Sequence, residues 1–184
     1  MNARSFHMQM LVLCVAAHVL QLQLGPDAVL GVGGLYGPDV LAGQWWRVFT
    51  AGFLHGSLMH LAVNMISLVF LGRGLEALLD RDGRWLFPGL YVGSLLGGSL
   101  GALLLEFDIP SVGASGAIFG LLGASVSIPQ RLGMGWNGFG VVPWLGLNLF
   151  FTFASPGISR GGHIGGLVAG LAIGYLLAPR LSQR

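Results

Sequence analysis

The stretch from Gly113 to Gly120 reads Gly-Ala-Ser-Gly-Ala-Ile-Phe-Gly and places Ser115 at the start of an apolar run. The first N–H groups of a helix have no partner within the helix, and lipid offers none. Free amides beside a hydroxyl are the components of a nucleophile and its oxyanion site. The alternative is that Ser115 caps the helix and that the glycines serve packing.

A second candidate is His163, which follows two glycines at the start of the last apolar run. Within reach of Ser115, its imidazole would accept the serine proton and later return it to a leaving amine. The alternative is an interfacial histidine bound to backbone groups. No aspartate or glutamate falls in the outer half of these runs to orient the ring, so the nucleophilic pair would be a Ser–His dyad.

His60 and Asn64 lie four residues apart and therefore share one helix face. An imidazole N–H and an amide NH2 on one face suit a developing oxyanion. The alternative is a hydrogen-bonded pair that joins helices, as is frequent in membranes. His55 precedes the helix by about a turn and a half and is assigned to the loop. His55, His60 and His163 could converge on a metal, but no carboxylate is near them and no His-Glu-x-x-His occurs, so we predict no metal and no cofactor.

Composition determines what must position these residues. Of 184 residues, 54% are hydrophobic and 9% are charged, whereas soluble domains carry about 25% charged residues. The chain is therefore predicted to be an integral membrane protein with the lipid bilayer as its partner. The nine basic residues are all arginines scattered between apolar runs, which favours membrane topology over nucleic-acid binding.

Six apolar runs approach the length of about 20 residues that a spanning helix needs. The fold class predicted is an all-α polytopic membrane protein, a six-transmembrane-helix bundle forming a single domain over residues 1–184. Residues 25–57 form a long, outward-facing first loop. The runs are Met8–Leu24, Leu58–Leu79, Trp85–Leu105, Gly113–Ile128, Val141–Ala154 and Gly162–Ala178.

The distribution of the arginines predicts the orientation of the chain in the membrane. With six spans, both termini share one side, and that side holds seven of the nine arginines, which places both termini in the cytoplasm. The site around Ser115 then opens to the outer side. The absence of lysine beside 32 glycines indicates a GC-rich genome and hence a bacterial inner membrane. The seven arginines are Arg4, Arg73, Arg81, Arg84, Arg131, Arg180 and Arg184.

The fourth run is short: sixteen residues give about 24 Å of helix, against a hydrocarbon core of about 30 Å. If one end lies at the cytoplasmic interface, Ser115 is recessed below the outer surface, in a hydrated pocket. Glycines recur every four residues on the fourth and sixth runs, and such faces let helices approach closely in lipid. Pairing these two helices would bring His163 beside Ser115. The glycine row of the third run could pack on either neighbour.

These pieces together resemble the rhomboid family of intramembrane serine proteases, over the span from Trp46 to Tyr175. They occur in the family's order and on the corresponding helices. They are Trp46-Arg47 with Thr50, Phe53 and His55; His60-Leu61-Ala62-Val63-Asn64; Gly113-Ala114-Ser115-Gly116; and Gly162-His163 with Gly166 and Gly170.

The resemblance implies Ser115 as nucleophile and His163 as general base. It implies His60, Asn64 and the backbone N–H of Ser115 as oxyanion donors. Supporting roles fall to the motif glycines, to the first-loop residues and to Phe119. Family members carry a tyrosine at the position of Phe119, and that tyrosine stacks on the base. Phe119 lacks the tyrosine hydroxyl. The chain looks like the minimal six-helix form. The supporting residues are His55, Phe119, Gly113, Gly116, Trp46 and Arg47, with Glu76 as a structural contact on the cytoplasmic side.

The predicted substrates are single-span transmembrane proteins whose outer ends unwind easily, since a helix with bonded amides cannot be cut. Lateral access past the fifth helix and the loop Ser155–Arg160 is expected, because that loop leads into His163. Two alternatives remain. A proteolytically dead relative that binds membrane proteins would usually lack Ser115 or His163. A channel or transporter would carry polar residues at several depths.

Overall fold

The computed structural model describes residues 5–80, 85–137 and 139–182. Arg4, Arg81, Arg84 and Arg184, four of the arginines used to predict orientation, lie outside these residues. The elements in chain order are α1 Phe6–Leu24, α2 Pro26–Gly33, α3 Gly37–Leu41, α4 Arg47–Thr50, a 3-10 turn Ala51–Phe53, α5 Leu58–Leu79, α6 Leu86–Leu105, α7 Ser115–Arg131, α8 Val142–Ala154, α9 Arg160–Leu177 and α10 Pro179–Ser182.

Four helices of the described chain are long and apolar enough to cross a membrane. They correspond to four of the six runs marked in the sequence. The fourth and fifth runs form α7 and α8, which are shorter, at 17 and 13 residues. The all-helical membrane bundle is therefore confirmed, while the count of six spans stays a prediction. The four candidate spans are Phe6–Leu24, Leu58–Leu79, Leu86–Leu105 and Arg160–Leu181.

Helix α7 is the centre of the bundle. Every residue from Ala117 to Pro129 is buried, because α5, α6 and α9 all pack around this helix. Its 17 residues correspond to about 26 Å of helix. A helix surrounded by protein has no lipid-facing surface to match to the bilayer, so a short span at this position leaves little apolar mismatch.

Helices α7 and α9 pack backbone against backbone through their glycines. A Cβ atom built on Gly166 or Gly170 would collide with the carbonyl oxygen of Gly116 or Gly120, respectively. One turn further on, Gly174 lies against Ala124, whose Cα would be 2.8 Å from such a Cβ. The predicted pairing of the fourth and sixth runs is therefore confirmed, and these glycines cannot be replaced without moving a helix.

Helix α6 packs on both partners, which resolves an alternative that the sequence left open. Gly97 and Gly101 approach the backbone of Gly165 and Gly161 in α9. Gly98 lies on the adjacent face, and a Cβ atom built on it would be 2.9 Å from the Cα of Gly116. Three helices are thus joined at glycine contacts directly beside the start of α7.

The predicted first loop is an ordered structure around the buried side chain of Arg47, which is 4% exposed. Its guanidinium donates to the carbonyls of Gly34 at 2.7 Å and Gly31 at 2.6 Å, and pairs with Asp39 at 2.9 Å. Trp46 donates its indole N–H to a carbonyl of α2 at 3.1 Å. The loop therefore has its own hydrogen-bonded core, built on α2, α3 and α4.

At the opposite end of the bundle, Glu76 of α5 binds the first turn of α1. Its carboxylate accepts the backbone N–H groups of Phe6 and His7, and it also contacts the His7 ring nitrogen Nδ1. A carboxylate at a helix N-terminus satisfies free N–H groups and complements the helix dipole. The structural contact expected of Glu76 is present and joins α1 to α5.

Candidate active site

Ser115 is the first residue of α7, and the residue at the N-cap position is Ala114. Because Ala114 occupies the N-cap position, Ser115 is not the capping residue, and the alternative that Ser115 caps the helix is wrong. The hydroxyl is half-buried and lies beside the first-turn N–H groups, which have no partner within a helix. Those groups are available to a ligand atom next to the hydroxyl.

Gly113 allows the His60 ring to approach this helix start. Its φ of +130° lies in the region that favours glycine. A Cβ atom at this position would be 2.8 Å from two atoms of the His60 ring and 3.6 Å from Ser115 Oγ. The backbone N–H of Gly113 donates to Ala51 at 2.9 Å, which fixes the segment against the first loop. The sequence-predicted residues Gly113, Ser115 and His60 are therefore close together.

A cavity of about 40 Å³ opens beside Ser115. Three further serines line it: Ser99, Ser111 and Ser159. A site needs about 10–15 Å³ for each water, so this cavity has room for two or three molecules. Water and hydroxyl groups are thus accommodated next to Ser115 inside the helical bundle.

The His163 ring stacks on Phe119, with ring centroids 4.0 Å apart and an interplanar angle of 20°. Phe119 lies four residues after Ser115, on the same face of α7, so this contact puts the imidazole on the Ser115 side of the helix. The stacking expected of Phe119 is therefore present. No hydrogen bond joins Ser115 Oγ to His163 in the described part of the chain; such bonds are often long before substrate binds.

The other His163 contact was not predicted from the sequence. Its Nδ1 lies 2.8 Å from the hydroxyl of Thr152 in α8, a side chain that is completely buried. The alternative that His163 is bound to backbone groups is wrong, because its ring binds a side chain. The available signal was a threonine, four residues after Asn148, on an otherwise apolar segment.

Asn64 is 5% exposed, and its Nδ2 is buried with no hydrogen-bond partner among the described residues. Within the described residues, the side chains of His60 and Asn64 share no hydrogen bond, so they do not form the helix-joining pair considered as an alternative. The backbone N–H of His60 donates to Ser57 Oγ at 3.1 Å, which caps α5. Two side-chain donors on one helix face therefore remain available.

His55 lies behind His60, with ring centroids 5.1 Å apart in an edge-to-face arrangement. Its backbone N–H and C=O both bind the side chain of Gln21, at 3.1 and 3.0 Å, a contact that sequence reasoning missed. Its ring contacts the Phe53 carbonyl at 3.2 Å. Burial, with the neighbouring His60 and His18 imidazoles, lowers the pKa of His55 to about 4, so the ring is neutral near pH 7.

Glu106 fixes the start of the helix that carries His163. Its carboxylate accepts a hydrogen bond from Ser159 Oγ and from the backbone N–H groups of Arg160, at 2.9 Å, and Gly161, at 3.2 Å. This role of Glu106 was not predicted from the sequence. Across the described residues, no group of three His, Cys, Asp or Glu side chains is arranged to hold a metal ion.

The rhomboid domain family matches residues 42–180, which include every residue of this site except Gln21. The chain belongs to the rhomboid family. It is 35% identical to the rhomboid protease GluP of Bacillus subtilis (strain 168) over 78% of this chain and 28% of that protein. It is 37% identical to RHOMBOID-like proteins 4 and 5 of Arabidopsis thaliana, over 85% of this chain and 41% and 52% of those proteins.

This rhomboid thus spans between about a quarter and a half of the length of these relatives. The part that matches holds the sequence-predicted site, and the structure brings Ser115, His60, Gly113, Phe119 and His163 to one end of α7. Trp46 and Arg47 do not join them: both lie in the first-loop structure, where they bind carbonyls of α2 and of Gly34, the residue that follows α2.

Proposed function

We propose that this rhomboid is an intramembrane serine endopeptidase that hydrolyses peptide bonds in or near the transmembrane segments of single-span proteins. Ser115 is the nucleophile and His163 is the general base. The observation that carries the proposal is the His163 ring stacked on Phe119, one helical turn from Ser115. A serine and an imidazole on one face, beside free helix N–H groups, form the minimum set for acyl transfer.

The reaction proceeds in two steps. His163 Nε2 accepts the Ser115 proton while Oγ attacks the scissile carbonyl, and the imidazolium then gives that proton to the leaving amine. The resulting acyl-serine is hydrolysed by water, activated through the same nitrogen. The cavity beside Ser115 supports this second step, because it has room for water at the nucleophile.

His60, Asn64 and the backbone N–H of Ser115 stabilise the oxyanion in both steps. Two observations support this assignment: the His60 ring lies against Gly113 next to Ser115, and Asn64 Nδ2 is buried and bonds no group in the described part of the chain. A buried amide donor without an acceptor is unfavourable in the resting protein. It becomes favourable when a negative oxygen develops nearby, which is the condition for preferential transition-state binding.

The bundle has six spans, and Ser115 is recessed below the outer surface of the membrane. Both termini are cytoplasmic, in a bacterial inner membrane. The shortness of α7, about 26 Å against a hydrocarbon core of about 30 Å, supports the recessed position. Hydrolysis at this depth needs a polar cavity enclosed by protein, since lipid supplies neither water nor hydrogen bonds.

Substrate reaches Ser115 laterally, past α8. This helix supports such a path because only one of its thirteen residues, Thr152, is buried. Substrates unwind at the outer end of their span and carry Gly, Ala, Ser or Pro near the cut; of these residues, Gly and Pro weaken the helix most. A loosely packed helix beside the base can move aside without disturbing the core around α7.

The test is cleavage of a fluorescent single-span substrate by the full chain in liposomes, with Ser115→Ala and His163→Ala as matched variants. The wild type should cleave, and both variants should lose the activity. Equal cleavage by all three proteins would contradict the proposal.

Lateral access has its own test. Phe70 of α5 and Trp144 of α8 are both exposed and their rings are 6.3 Å apart. With cysteines at both positions, a reducible bis-thiosulfonate cross-linker should block cleavage, and reduction should restore it. Each single-cysteine variant is the control, and Cys14 is fully buried. Full activity of the cross-linked protein would contradict access past α8.

A further inference from the structure

Resting on the proposed function, we infer that Thr152 is a positioning residue: its hydroxyl fixes the tautomer and the ring plane of His163 and links the base to α8. The site contains no carboxylate bonded to the His163 ring among the described residues. A Ser–His pair without a third group leaves the imidazole free to exchange tautomers and to rotate. The structure offers a neutral group for this purpose instead.

The tautomer follows from counting protons. The Thr152 hydroxyl has one proton and lies 2.8 Å from two atoms, the Asn148 carbonyl oxygen and His163 Nδ1. A carbonyl can only accept, so the hydroxyl donates to Asn148 and must accept from the ring. His163 therefore carries its proton on Nδ1, and Nε2 presents a lone pair.

This tautomer is the one that the reaction requires, since the nitrogen that accepts the Ser115 proton must be unprotonated. The stack on Phe119 restricts the tilt of the ring, but an aromatic face does not distinguish Nδ1 from Nε2. The Thr152 bond supplies that distinction. When His163 becomes an imidazolium, Nδ1–H still donates to Thr152, and a hydrogen bond from a charged donor is stronger than a neutral one.

The bond also couples the base to α8. Thr152 is the one buried residue of that helix, and its side chain is 0% exposed. Displacing α8 separates the hydroxyl from Nδ1, so His163 is oriented only while α8 is packed against α9. A substrate that passes α8 therefore meets a base that Thr152 no longer orients, and return of the helix restores the dyad after the substrate is inside.

The test compares Thr152→Val, which removes the hydroxyl at nearly equal volume, with Thr152→Ser, which retains it. The Thr152→Val change should lower kcat by roughly 10- to 100-fold, the range for a lost hydrogen bond to a charged group, with KM within about twofold. The Thr152→Ser variant should stay near wild type. The control is Ser125→Ala in α7, which removes a buried hydroxyl that also bonds the carbonyl four residues earlier.

A second readout reports on the ring itself. Nitrogen NMR of ¹⁵N-histidine-labelled protein, with His163→Ala used to assign the signal, should show the Nδ1–H tautomer in the wild type and in Thr152→Ser. The Thr152→Val protein should populate the Nε2–H form. If Thr152→Val does not fold, the test uses Thr152→Cys, which keeps a weak acceptor. Its kcat should be lower than that of Thr152→Ser but above zero.

The outcomes separate the two proposals. Wild-type kcat together with an unchanged tautomer in Thr152→Val would overturn the role of Thr152 while leaving the protease intact. Cleavage that is absent, or that does not depend on Ser115, would overturn the proposed function. In that case the NMR comparison still decides whether Thr152 orients His163.

Discussion

Gly170 in α9 lies directly on the backbone carbonyl of Gly120 in α7, so closely that a Cβ atom at Gly170 would overlap it. The same close approach recurs one turn earlier, at Gly166 and Gly116. The register of these two helices determines the position of His163 relative to Ser115. The site therefore depends on two columns of glycine as much as on the reactive side chains.

The first prediction concerns this contact. Gly170→Ala should destabilise the bundle by about 1–3 kcal/mol, the usual cost of overpacking, because the group it meets is backbone that cannot rotate away. Proteolytic activity should fall together with stability, because α7 and α9 must separate to admit the added methyl group. The measurement is denaturant unfolding in mild detergent micelles.

The matched control for that measurement is Gly89→Ala in α6, where a Cβ would have no neighbour within 4 Å. It should leave stability unchanged, or raise it by up to about 1 kcal/mol through helix propensity. Equal effects of the two substitutions would mean that α7 and α9 are not packed as described.

A second prediction separates catalysis from stability at Asn64. Its Nδ2 bonds no protein group among the described residues, so Asn64→Ala breaks no protein hydrogen bond at this atom and should destabilise the fold only slightly. It should nevertheless lower kcat by roughly 10- to 1,000-fold, the range for a lost oxyanion donor. Both quantities are measured on one preparation.

Ser127→Ala serves as the control for Asn64, because Ser127 Oγ is another buried group that bonds none of the described residues. It should leave kcat unchanged. Unaltered turnover in Asn64→Ala, or a loss of turnover that simply follows a loss of folded protein, would remove Asn64 from the oxyanion site.

The third prediction is a pH dependence of stability at His55. Its pKa falls from the ordinary value of 6.5 to about 4 in the folded protein, chiefly through burial. Between these values the unfolded chain binds a proton that the folded chain does not. Stability is therefore fully present above pH 6.5 and decreases as the pH falls toward 4, by up to about 3 kcal/mol.

That dependence is tested by measuring unfolding free energies from neutral to acid pH in the wild type and in His55→Gln. The backbone groups of residue 55 keep their bonds to Gln21 in the variant. The variant should lose less stability over this interval. Parallel curves for the two proteins would show that His55 takes up its proton equally well in the folded state.

The helix pairing could be predicted from the sequence because glycines at four-residue spacing define a face without any knowledge of the loops. The helix that the α6 glycines contact could not be predicted. Gly97 approaches α9 whereas Gly98 approaches α7 as well, and the sequence does not indicate which helix each glycine meets. Hydrogen-bond partners were also hidden: Arg47 binds backbone carbonyls, and every residue offers one.

Thr152 shows most clearly where sequence reasoning ends. Its contact with His163 depends on the angle between α8 and α9, and the short connection between these helices permits many such angles. Motif spacing located the base but not its orienting partner, because that partner is a single hydroxyl on a helix with no periodic pattern. Glu106 was missed for a similar reason: its role depends on the three-dimensional position of the α9 N-terminus.

Covalent labelling of Ser115 tests directly whether His163 activates its hydroxyl. The full chain in detergent micelles is treated with a fluorophosphonate, digested, and analysed by mass spectrometry, with His163→Ala treated in parallel. Because the reagent reacts with a serine activated by a base, Ser115 should carry the adduct, and the labelling rate should fall by at least roughly 100-fold in His163→Ala. Labelling of a different serine, or an equal rate at Ser115 in both proteins, would contradict the account.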